Sequence, residues 1–176
     1  MLMVKFKETF RVETTRLKEW DYSNPWWYYV TINTKNHVEY FGIVANGKMV
    51  LNELGRAVDE YWNEIPKHFK MIELDSYVVM PNHVHGIIII NKTVETRHAS
   101  SLQHKTITLS DIIGSFKSAV TKKIRENGYN NFSWQPRFYD RIIRNEKELY
   151  NIQKYIEQNP LKWEFEKNHP ENIYDL

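Results

Sequence analysis

Residues 83–90 constrain the fold of this chain more than any other stretch. They read His-Val-His-Gly-Ile-Ile-Ile-Ile and are entered through Met80-Pro81-Asn82. An unbroken β-branched run after alternating residues marks a buried strand. Side chains two apart on a strand share a face, so His83 and His85 project together while Val84 points into the core. Two convergent neutral imidazoles form half of a divalent-metal site. His-x-His also arises on ordinary strands with a polar face, so the pair needs a third partner before it assigns a chemistry.

The remaining segments are read around that strand. Residues 1–24 form an irregular lead-in, ended by Asn24-Pro25. Trp26–Thr34 has the aromatic and β-branched content of a strand. Val38–Val44 is its expected hairpin partner across Lys35-Asn36-His37, with Asn46-Gly47 closing the far end. Leu51, Leu54, Val58, Tyr61, Trp62 and Ile65 make one helical stripe, which Pro66 breaks or ends. Met71–Met80 pairs with His83–Asn91. Residues 92–107 are polar and aperiodic, a flexible connection. A second helix opens at Leu109-Ser110-Asp111, capped by Ser110. It turns Ile112, Ile113, Phe116, Ala119, Val120 and Ile124 inward and ends at Asn127-Gly128. Phe138–Ile143 is a short strand. Asn145 caps a third helix, Glu146 to about Gln158, stopped by Asn159-Pro160.

The order is β-β-α-β-β-α-β-α. Short hairpin links favour antiparallel pairing, with the helices on one face of a single sheet: an α+β sandwich. No glycine-rich strand-to-helix turn or phosphate loop is present, which excludes a Rossmann fold. At 176 residues, without repeats or an internal linker, the chain is expected to be one domain spanning 1–176. It has no cysteine, so disulfides and thiolate zinc sites are excluded. No apolar run approaches the ~20 residues of a membrane helix, and no secretory signal is evident. The expectation is a soluble intracellular protein with no membrane partner. A net charge of +2 permits nucleic acid without requiring it.

The third helix offers partners for the histidines. Tyr155 and Asn159 are one turn apart and share a face. Each also has an ordinary account: Tyr155 extends the stripe Leu149–Ile152–Ile156, and Asn159 caps the helix before Pro160. Tyr150 falls on the face opposite Asn159, while Tyr139, beside Asp140 and Arg141, stays a chemical candidate.

Together, MPNHVHG, WQPRFYDRIIRN and LYNIQKYIEQNPLKW resemble the single-tyrosine transposases of the His-hydrophobic-His (HUH) superfamily, closest to the REP-associated tyrosine transposases. RLKEWDYS, YYVTINT and LNELGRAV extend the likeness over roughly Arg16 to Trp163. It implies the ferredoxin-like, HUH-type sandwich and an enzyme that cuts and rejoins single-stranded DNA, often beside a hairpin. It also implies that His83, His85 and Asn159 hold the metal and that Tyr155 is the nucleophile. Members work as dimers with the tyrosine helix in trans, or as monomers in cis, so monomer and homodimer both stay open. The implied setting is the bacterial cytoplasm, at the nucleoid.

The chemistry suits those residues. A tyrosine hydroxyl ionises near pH 10 and is a poor nucleophile unaided. Two imidazoles and an amide oxygen suit Mg²⁺ or Mn²⁺, the latter the better match to imidazole. A 5′-phosphotyrosine would conserve the broken bond's energy, so rejoining needs no ATP. Candidate DNA contacts are Lys117, Lys122, Lys123 and Arg125 on the second helix, Arg137, Arg141 and Arg144 around the short strand, and Lys154 beside the tyrosine. Trp134, Phe138 and Tyr139 are possible stacking surfaces. Two other readings stand beside this one: a catalytically silent hairpin-binding protein, and a metal-dependent nuclease using water.

Overall fold

The structure, a computed structural model, describes residues 17, 19–92 and 106–169, together with the backbone of two short strands, β1 (Val4–Phe6) and β2 (Thr9–Arg11). The other strands are β3 (Trp27–Asn33), β4 (Gly42–Ala45), β5 (Lys48–Leu51), β6 (Ile72–Val79), β7 (His83–Ile90) and β8 (Tyr139–Ile142). The helices are α1 (Glu53–His68), α2 (Leu109–Glu126) and α3 (Glu146–Asn168). The architecture is α+β, as the pattern of elements predicts.

Four strands form an antiparallel sheet in the order β6-β7-β3-β8. Helix α1 carries the chain from β3 to β6, and α2 carries it from β7 to β8. This is the split β-α-β-β-α-β arrangement of ferredoxin-like folds. The His-Val-His strand is therefore interior, flanked by β6 and β3, and all eight of its residues are buried.

The two faces of that sheet carry different layers, which corrects the one-face expectation. Val84 and Ile88 of β7 join Tyr28, Val30 and Ile32 of β3 in the main core, against Trp62 of α1 and Ile113 and Phe116 of α2. The odd-numbered residues turn the other way, where Tyr29, Ile87 and Ile143 pack on Ile156 of α3. Period-two alternation divides each strand between the layers.

Several local expectations change for identifiable reasons. Trp27–Asn33 pairs with β7 and β8 and not with residues 38–44. Residues 35–37 form a 3₁₀ turn with Asn36 and His37 at positive φ, which turns the chain away from β3. Asn46-Gly47 is itself the hairpin turn, joining β4 to β5 with both residues at positive φ, the demand of a tight two-residue loop. The lead-in contains the β1–β2 pair. The cap of α2 is Thr108, not Ser110: its hydroxyl accepts from the Asp111 amide while the Asp111 carboxylate accepts from the Thr108 amide. Pro66 lies inside α1. The connection expected at 92–107 falls largely outside the described residues.

The main difference is α3, which continues through Pro160 to Asn168. An interior proline removes a hydrogen bond and costs about 3 kcal/mol, so tertiary contacts must hold the last turns. Glu164 Oε1 and Oε2 accept from the backbone amides of Asn46 (3.0 Å) and Gly47 (2.6 Å). Lys167 pairs with Glu39 at 3.2 Å. The start of the helix is fixed by the Asn145 side chain, which accepts from the Glu148 amide.

Candidate active site

Residues from β7, β3 and α3 converge on the α3 face of the sheet. Thr31 lies opposite His85, and Asn33 opposite His83. The two imidazoles face each other with Nε2 atoms 3.0 Å apart. Each outer nitrogen has its own partner: His83 Nδ1 meets Asn82 Oδ1 at 2.6 Å, and His85 Nδ1 meets the Tyr29 hydroxyl at 2.7 Å and Thr31 Oγ1 at 2.9 Å. With the Nδ1–H tautomers donating to those oxygens, both Nε2 lone pairs point at one place. Partners of this kind fix ring orientation in metal-binding histidines.

Burial keeps the pair neutral. It pushes His83 down to about 4, against a hydrogen bond with the Asn159 side chain. His85 falls to about 3 through burial and the neighbouring His83. Neutral imidazole is the form that ligates a metal. Burial also raises the Tyr29 phenol, so that hydroxyl stays protonated.

Helix α3 completes the cluster from the same chain. Tyr155 packs edge-on to His85, ring centroids 5.3 Å apart, and to Tyr29 at 6.4 Å. It remains 41% exposed, whereas Asn159 is 6% exposed. Asn159 is thus a mid-helix residue reaching His83, not a terminal cap. Trp163, one turn further, packs its ring at a tilt against His83, centroids 5.6 Å apart, a contact that exists because the helix passes Pro160.

Two neutral imidazoles and one amide could hold a divalent transition-metal ion. Two ligand atoms at right angles, each ~2.1 Å from one cation, lie about 3.0 Å apart; this is the spacing of the two Nε2 atoms. Among the described residues no group of three His, Asp or Glu side chains could hold a metal. The third donor at hand is the Asn159 amide.

The basic residues divide. Arg141 lies on the α3 side of β8, its guanidinium on Glu148. Arg144 follows that strand and is exposed, and Lys154 is exposed beside Tyr155. Lys122, Lys123 and Arg125 belong to α2, behind the sheet; Lys122 pairs with Glu126 at 4.0 Å, and Arg125 donates to the Phe132 carbonyl at 3.2 Å. Half-buried Lys117 donates to the carbonyls of Gln135 (2.7 Å) and Arg137 (2.9 Å), so it holds the loop before β8. Arg137, in that loop, is exposed at positive φ.

Three supporting residues, Tyr29, Thr31 and Asn82, are absent from the sequence-based selection. Strand alternation puts Tyr29 and Thr31 on one face, but only the β3–β7 register brings them to His85. Asn82 was the more legible, sitting next to His83. Of the possible stacking surfaces, Trp134 is buried in the main core and Phe138 packs against it, while Tyr139 is exposed and packs edge-on to Tyr29, 6.2 Å away.

The fold is a ferredoxin-like sheet with paired histidines on an inner strand, crossed by a helix that carries a tyrosine. The chain belongs to the family described as "Transposase IS200 like", which it matches over residues 43–159. This bears out the resemblance to single-tyrosine HUH transposases. An uncharacterized protein of Haemophilus influenzae is 38% identical over 158 residues, covering 85% of this chain and 88% of its own length. A solved REP-associated tyrosine transposase bound to a REP hairpin aligns with a TM-score of 0.57 at 20% identity, covering 85% of this chain and 74% of that one. That likeness is one of fold. Among the described residues no helix is long and apolar enough to cross a membrane.

Proposed function

We propose that this transposase cleaves and rejoins single-stranded DNA near hairpins through a 5′-phosphotyrosine formed on Tyr155. The observation that carries the reading is that Tyr155 packs against His85 while His85 and His83 aim their Nε2 atoms at one point, all within one chain. His83, His85 and Asn159 would hold Mg²⁺ or Mn²⁺. When bound, such an ion polarises the scissile phosphate and offsets charge in the transition state.

Tyr155 Oη attacks phosphorus and gives its proton to solvent, the bond to the 3′ oxygen breaks, and that oxygen takes a proton from solvent and leaves as a 3′-OH. A second 3′-OH later attacks the phosphotyrosine and releases the phenol. Tyr29 and Thr31 hold the His85 ring, and Asn82 holds His83. Arg141, Arg144 and Lys154, on the tyrosine's side of the molecule, are the basic residues best placed to meet the DNA backbone. The reading sets the work at the bacterial nucleoid.

The contacts of Glu164 with the β4–β5 turn support the choice of a monomer acting in cis as the active unit over a dimer acting in trans. The test mixes Tyr155→Phe with His85→Ala protein and measures cleavage of a labelled hairpin substrate in Mn²⁺. A cis site leaves the mixture inactive; recovery of activity would mean exchanged helices in a dimer. Cleavage by Tyr155→Phe alone would favour the water-using nuclease, and binding without cleavage by the parent would favour a silent hairpin-binding protein.

A further inference from the structure

A cavity of about 720 Å³ opens at the N-terminal end of α3. Its walls are Trp26 and Trp27, and Ile89, Ile143 and Leu149 line its floor. Both indoles are exposed, Trp26 by 41% and Trp27 by 36%, and neither belongs to the two apolar clusters. The Trp26 ring is held by side-chain contacts, and Trp27 is anchored through its main chain. Trp26 Nε1 donates to the Ile143 carbonyl at 2.7 Å and its ring meets Trp20 edge-on at 5.8 Å. The Trp27 carbonyl accepts from the Ile143 amide at 3.0 Å. Exposed aromatic rings beside an apolar floor are what a stacked nucleobase uses.

The rim has the complementary charge. Arg144 and Lys92 border the opening, with the Glu146 carboxylate, in the first turn of α3, as the opposing group. Position favours the same ligand. Trp27 shares the sheet face of Tyr29 and Thr31, which places it ~13 Å along β3 from the residue facing His85. Along α3 the cavity's Glu146 is also ~13 Å from Tyr155. One face of the molecule thus carries both the cavity and the candidate site.

Resting on the single-stranded DNA reading above, we propose that this cavity binds one unpaired base of the substrate strand a few nucleotides from the cut, with Arg144 and Lys92 meeting the adjacent phosphates. Recognition is by stacking, so it tolerates any base.

The test uses short oligothymidylates carrying one photoreactive 5-iodouracil at successive positions. Crosslinks should map to the peptide containing Trp26 and Trp27 for a narrow set of positions. Trp27→Leu should weaken binding about tenfold, Trp27→Phe should retain most of it, and Arg144→Gln should lower the salt dependence. Should Trp27→Leu fail to fold, the crosslink map and Arg144→Gln still decide. Tight parental binding with crosslinks elsewhere, and no effect of a folded Trp27→Leu, sinks the cavity and leaves the transposase reading standing. Self-association sensitive to Trp27→Leu without DNA would make the occupant a second copy and overturn the proposal. No complex with any single-stranded DNA overturns both.

Discussion

On one face of the central sheet, β7 turns Val84, Gly86, Ile88 and Ile90 toward α1 and α2; on the other, the same strand turns His83, His85 and Ile87 toward α3. The first face is a dry interlock. A Cβ at Gly86 would overlap the Trp62 ring, so strand and helix approach as closely as the backbone allows. The second has a small apolar cluster around Ile87 and Ile156, with imidazoles, phenols and amides bonded to one another beside it. Burying neutral imidazoles costs stability unless each polar atom is satisfied. The dry face supplies that stability, which leaves α3 free to present a reactive side chain. A strand with period two serves both purposes without compromise between adjacent residues.

If the faces are separable in this way, mutations should sort by face. The largest expected effect is on activity: His85→Ala should lower hairpin cleavage about 10³-fold while its melting temperature in chelator stays at or above that of the parent. A matching loss of fold would break the separation. On the dry face, Trp62→Ala should lower the unfolding free energy by about 3–5 kcal/mol, read by urea denaturation, with Mn²⁺ affinity of the remaining folded protein unchanged. Removing one support of the histidines should do less: Asn82→Ala is expected to weaken Mn²⁺ binding roughly 10–100-fold by calorimetry, and to lower the unfolding free energy by about 1–3 kcal/mol, because the Asn82 side chain also donates to the His37 carbonyl. The smallest effect belongs to the seam between α3 and the β4–β5 turn. There Glu164→Gln should cost about 1 kcal/mol and raise amide exchange in the last turns of α3. If exchange there does not change, the clamp is not what carries the helix past Pro160.

Much of this division could be read from the chain, because both periodicities are strong. The alternation around His83 and His85 gives the strand, its burial and the shared face of the imidazoles. The stripe of Leu54, Val58, Trp62 and Ile65 gives α1. Pairing was harder. Trp27–Asn33 has a strand's composition, and its nearest strand-like neighbour in sequence looks like its partner, whereas the true partners come from far along the chain. The reach of α3 was hidden for a different reason. Asn159-Pro160 is a sound stop signal locally, and only the contacts of Glu164 and Lys167 with a distant ribbon override it. That error hid the Trp163 contact with His83. Tyr29 and Thr31 escaped selection because their role depends on the register between β3 and β7, which no local pattern encodes.

In the proposed reaction Tyr155, lying against the histidine pair of its own chain, becomes covalently joined to DNA. The direct measurement is to incubate the protein with labelled single-stranded hairpin DNA and Mn²⁺, denature it, and map any adduct by mass spectrometry, with Tyr155→Phe and Tyr139→Phe in parallel. An adduct is expected on the peptide containing Tyr155, absent in Tyr155→Phe and retained in Tyr139→Phe. An adduct on Tyr139, or cleavage products with no adduct at any time point, would contradict that reaction.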